Sequence, residues 1–152
     1  MEDEDDLYDP QKINYEKFFG ETRCSTLASG LVRCRTLYEQ DDWDSFVTKA
    51  DSVAHTVVKG TCEYNLSDLG ISGESFSKRA REYGNLLRFL AGQKGYKQIG
   101  RAGQDLHDLR QKARVAHLES EDGSPKPGIT DEMEAEEGLQ YLRKLFRLSV
   151  CR

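Results

Sequence analysis

Proline is nearly absent: three occur in 152 residues, and none lies between Pro10 and Pro125. Nothing in that stretch forbids long helices, since proline is the residue that interrupts their hydrogen-bond ladder. Apolar/polar alternation of period two is missing as well, so no strand is expected. No apolar run approaches the ~18 residues that a membrane span requires. The opening MEDEDD lacks the basic start and apolar centre of a secretory leader. Cysteine is limited to Cys24, Cys34, Cys62 and Cys151, too few and too far apart for a secreted disulfide scaffold. These absences point to a cytosolic or nuclear protein with no membrane partner. Hydrophobic residues make up only 37% of the chain and charged ones 32%, which suits narrow apolar stripes on solvated helices.

What is present is a series of such stripes. Asp9-Pro10 is a helix-start pair, and a short helix to Phe19 with Gly20 as its end is expected. Cys24, Leu27, Leu31, Cys34 and Tyr38 recur at steps of three and four, predicting a helix over 22–40. Asp41-Asp42 places negative charge at the next helix start, where the dipole favours it. Trp43, Phe46, Ala50, Val53 and Val57 then form a third stripe, widened by Val47, Ala54 and Val58, with Gly60 as its end. After a linker over 61–73, Ser72 or Gly73 opens a fourth helix. Its stripe is Phe76, Ala80, Tyr83, Leu87 and Leu90, and Gly92 and Gly95 break it. A fifth helix over 96–118 carries the heptad seam Ile99, Ala102, Leu106, Leu109, Ala113 and Ala116, of coiled-coil type. The last helix, from 131, shows acidic residues first and Arg143, Lys144 and Arg147 late, complementing its dipole. The fold expected is an all-α, single-domain bundle of five to six amphipathic helices. Residues 1–8 form an acidic tail, 9–118 the helical domain and 119–130 a loop. The C-terminal helix over 131–152 packs on the domain or in trans. Trp43, Phe46, Val53, Leu87, Leu106 and Leu142 are the expected core.

Catalytic constellations are not found. Cys24 and Cys34 lie roughly 15 Å apart along one helix, so they read as core thiols and not as a metal clip. The histidines are His55, His107 and His117. None sits in HExxH, and His107 is flanked by Asp105 and Asp108, which reads as a surface pair. Gly92-Gln93-Lys94-Gly95 lacks the strand and the GKS/T ending of a phosphate loop. Residues 79–109 do not fit a tetratricopeptide unit. The turn at Gly95-Tyr96 is a residue short, Ile99 stands where alanine is needed, and one unit alone cannot bury its faces. No enzyme activity, metal, cofactor or small-molecule substrate is expected. Ser124, in SPKPG, is chemically open to phosphorylation, although turns favour serine in any case.

Charge is the one signal above background. Residues 1–70 hold 7 Lys/Arg against 15 Asp/Glu, residues 71–118 hold 10 against 4, and residues 119–152 hold 5 against 8. The basic middle comprises Lys78, Arg79, Arg81, Arg88, Lys94, Lys97, Arg101, Arg110, Lys112 and Arg114, with Tyr83, Phe89, Tyr96 and His107 interleaved. Lys78, Arg81 and Arg88 are expected to share one face of the fourth helix. Such a surface suits an acidic protein partner, self-association or this chain's own acidic helices. The expected role is therefore a non-enzymatic adaptor or assembly subunit. The alternative is a small RNA- or DNA-binding regulator, viral or host, using residues 78–114.

Overall fold

The computed structural model describes residues 15–118 and 132–150, with side chains over 25–112 and 132–149. The acidic tail, the Asp9-Pro10 cap, the loop with Ser124, Cys151, and the side chains of Cys24, Arg114 and His117 lie outside the described residues. Within them the chain is all helical, with no strand. The helices are α1 (Tyr15–Glu39), α2 (Trp43–Tyr64), α3 (Leu66–Leu69), α4 (Gly73–Ala80), α5 (Tyr83–Ala91), α6 (Lys97–Leu118) and α7 (Glu132–Val150). Seven described helices exceed the five to six expected, for local reasons that can be named.

Gly20 and Gly60 do not end helices. Glycine in a helix interior costs only ~1 kcal/mol, which packing on either side can exceed. Beyond Gly60, α2 buries Thr61 and Cys62, and the Thr61 hydroxyl donates to Val57 O at 2.8 Å. The expected linker over 61–73 thus becomes the last turn of α2 and the single turn α3, which closes on Gly70 at φ 69°. The fourth helix, expected to be continuous, breaks at Glu82, whose backbone is extended (φ −120°, ψ 105°). The Asn85 amide donates to the Glu82 carboxylate at 2.7 Å, and the Arg79 guanidinium lies 4.2 Å from the centre of the Phe89 ring. The bend lets α4 lean on α2 while α5 packs along α6.

Other start and stop signals hold. Asp42 caps α2 by accepting from Ser45 N, Ser72 caps α4 by accepting from Ser75 N, and α5 ends at Gly92 with Gly95 at φ 88° in the turn. α2 and α6 form the centre. α1 packs on α2, α5 packs on α6, and α7 packs against both α2 and α6. α6 therefore meets three helices and not one coiled partner. Phe46, Val53, Leu87, Leu106 and Leu142 are buried as expected. Trp43, the first residue of α2, is only half-buried and stands edge-on to Tyr38 at 5.2 Å.

Candidate functional site

A polar cluster sits inside the bundle where α2, α5 and α6 meet. α2 carries Asp51 on the line Val47, Asp51, Ala54 and Val58, whose other members are fully buried apolar residues. Asp51 is itself 1% exposed, and a carboxyl group so placed needs polar neighbours around it. They come from two helices. His107 of α6 approaches with Nδ1 at 3.3 and 3.2 Å from the two carboxylate oxygens. His55, one turn along α2, places Nε2 at 3.3 Å from Oδ2, and the Arg110 Nε lies 3.7 Å from the same oxygen. His55 Nε2 is buried yet misses hydrogen-bond geometry towards the carboxylate, so it has no hydrogen-bond partner among the described residues.

Tyr83 of α5 roofs the cluster. Its ring stacks on His55 (3.5 Å between centroids, 26° between planes) and meets His107 edge-on at 5.3 Å. Burial first, then the charges of Asp51 and Cys62, raises the Tyr83 hydroxyl well above the ordinary phenol value. That hydroxyl too has no hydrogen-bond partner among the described residues. On the far side of His107, Nε2 lies 3.3 Å from the Gln111 amide nitrogen. The close approach depends on glycine: a Cβ at Gly103 would fall 2.5 Å from Leu87 Cδ2 and 3.3 Å from the Tyr83 hydroxyl. The cluster can hold a proton between carboxylate and imidazole. It can also offer one carboxylate oxygen and two imidazole nitrogens to a metal, since the three ligand atoms lie within 4.8 Å of one another.

The surface pair of His107 with Asp105 is not formed. His107 turns inward to a carboxylate 56 positions away, while Asp108 accepts from Gln104 at 2.9 Å. Sequence reasoning missed Asp51, although a lone acidic residue on an apolar helix line was a visible signal.

The basic residues do not form one surface. Arg110 turns to Asp51, and Lys112 pairs with Glu134 of α7 at 2.7 Å. Lys78 is 4.0 Å from Glu74 in its own helix, Arg79 covers Phe89, and Arg88 donates to the Asn85 side chain. The break at Glu82 means that Lys78, Arg81 and Arg88 do not share a continuous helical face. Arg81, Lys94, Lys97 and Arg101 are exposed and form no ion pair among the described residues. The interleaved aromatics are withdrawn: Tyr83 and Tyr96 are buried, Phe89 is covered, and Tyr96 donates to Asp68 at 2.5 Å. Among the described residues no helix is long and apolar enough to cross a membrane. No family model, no curated protein and no solved structure matches this chain.

Proposed function

We propose that this chain is a non-enzymatic helical adaptor or assembly subunit. It would engage an acidic protein surface through the corner where α5 meets α6. The observation that carries the reading is the fate of the basic segment. Its aromatic side chains are buried or covered, so it offers no platform on which bases stack. At the α5–α6 corner the outward residues form a short cationic ridge: Lys94 in the turn, then Lys97 and Arg101 one helical turn apart on α6. A ridge of three separated charges suits electrostatic steering of a complementary protein. Nucleic-acid binding by charge alone usually draws on more phosphate contacts.

The test is a triple charge reversal, Lys94→Glu, Lys97→Glu and Arg101→Glu, in the full chain. Proximity labelling in cells should recover a partner with an acidic surface from the wild type and lose it with the variant. Light scattering would reveal whether that partner is a second copy. A labelled RNA or DNA should not shift at about 150 mM salt. A shift that falls steeply with salt and vanishes in the variant would overturn the adaptor reading in favour of the nucleic-acid one.

A further inference from the structure

We propose that Asp51, His55 and His107 bind one divalent first-row transition-metal ion. Zinc is the best fit, with a coordination position left open. Two imidazoles and a carboxylate form a donor set of the kind that zinc, iron(II) and cobalt(II) accept, unlike the all-oxygen sets of calcium and magnesium. The spacing agrees. A tetrahedral ion with bonds of ~2.0–2.1 Å holds its ligand atoms about 3.3–3.4 Å apart. Asp51 Oδ2 already stands 3.2 Å from His107 Nδ1 and 3.3 Å from His55 Nε2. The third edge, between the two imidazole nitrogens, lies within 4.8 Å.

A second observation points the same way. Within a hydrogen-bonded Asp–His cluster each inward nitrogen should make a hydrogen bond, but the buried His55 Nε2, although 3.3 Å from Asp51 Oδ2, makes none. An ion at the centre of the triangle supplies the missing bond. The surroundings also suit ligands: the Tyr83 stack fixes the His55 ring, and Gln111 holds the outer nitrogen of His107. With the ion on Nδ1, the His107 proton moves to Nε2, and the Gln111 amide turns to present its oxygen. Asp51 is sealed in, but the side chains of His55 and His107 are 30% and 18% exposed, which leaves an entry path. Arg110 is the competitor, a cation 3.7 Å from the carboxylate on a side chain that is 34% exposed.

Cobalt(II) is the probe, added to the full apo chain. One ion should bind per chain, with the visible absorption of a low-symmetry four- or five-coordinate site, no near-ultraviolet thiolate band, and displacement by zinc. In the wild type, paramagnetic broadening should fall on the imidazole resonances of His55 and His107. His55→Ala and His107→Ala should each lower affinity by at least about 100-fold, the upper end of what losing a merely supporting partner does. Arg110→Gln keeps all three ligands and removes the competing cation, so it should bind as tightly as the wild type or more so. Absence of the visible bands would overturn the proposal. So would broadening confined to His117, binding unchanged in both folded histidine variants, or loss of binding in a folded Arg110→Gln chain. The wild-type broadening decides the matter even if the alanine variants do not fold.

Discussion

Gly100→Ala and Gly84→Ala are the same chemical change in neighbouring helices, and the packing predicts opposite signs for them. At Gly100 of α6 a Cβ would stand 2.6 Å from Ala91 N, 2.7 Å from Leu87 O and 3.0 Å from Ala91 Cα. All three are backbone atoms, which cannot rotate aside. To reach ordinary contact at 3.4 Å, the α5 backbone must retreat by about 0.8 Å, the difference between 3.4 and 2.6 Å. A gap of that size forfeits a quarter to a half of the dispersion energy of the atoms lining it. Overpacking costs ~1–3 kcal/mol, and with backbone on the receiving side the upper end applies. Alanine recovers ~1 kcal/mol through its helix propensity, leaving a net loss of about 2 kcal/mol. At Gly84 of α5 the nearest atom is the Arg88 guanidinium nitrogen at 3.7 Å, so only the propensity gain of ~0.5–1 kcal/mol remains. Urea unfolding followed by circular dichroism should show the midpoint fall for Gly100→Ala and rise for Gly84→Ala, with m unchanged in both. In heat, the first should lose roughly 4–8 °C. A Gly100→Ala chain as stable as the wild type would refute the close α5–α6 contact and, with it, the placement of Tyr83 over the histidines.

Two further outcomes follow from burial. Leu106→Ala, at a side chain with no exposed surface, should cost about 2–5 kcal/mol in the same unfolding assay, and an unchanged midpoint would mean that α6 presents another face. Burial pushes Cys34 and Cys62 from an ordinary 9.0 up to about 12, with Lys49 pulling Cys34 back slightly. The native state thus favours the protonated thiols. Their contribution is complete below about pH 9 and lost as pH climbs towards 12, at ~1.4 kcal/mol per pH unit for each thiol. Urea midpoints should drop between about pH 8 and pH 10, by less in Cys34→Ala and Cys62→Ala chains, and a flat profile would contradict the burial of these sulfurs.

How much of this was legible in the sequence depends on the range of the interaction. The apolar stripe of α2, the Asp42 and Ser72 caps and the Gly92–Gly95 turn are set within a few residues, and period and capping chemistry reveal them. The break at Glu82 is not of that kind. No proline stands there, Gly84 lies two residues on and inside α5, and across the bend α4 and α5 pack on different helices. Gly20 and Gly60 mislead for the converse reason, since a local preference of ~1 kcal/mol yields to packing beyond it. The polar cluster was half visible. Asp51 interrupts the line from Val47 to Val58, and Gly100, Gly103 and His107 recur at steps of three and four. What no local pattern states is that the two lines face each other.

That juxtaposition bears on why a carboxylate lies inside an otherwise apolar junction. Replacing a buried ionic group with well-packed hydrophobic residues is often neutral or stabilising, so stability alone does not account for Asp51. Registering α2 against α6 would account for the His107 contact, which fixes one turn of each helix against the other. It does not account for His55. That residue sits on the same helix as Asp51, meets α6 only through the tilted His107 ring at 5.8 Å, and brings a buried nitrogen that lies 3.3 Å from the carboxylate without making a hydrogen bond. A ring held flat by Tyr83 and aimed at the carboxylate it fails to bond is poor design for a structural clip. It is the arrangement expected when a third party belongs between them, which is why metal binding, and not helix register, is the reading to test first.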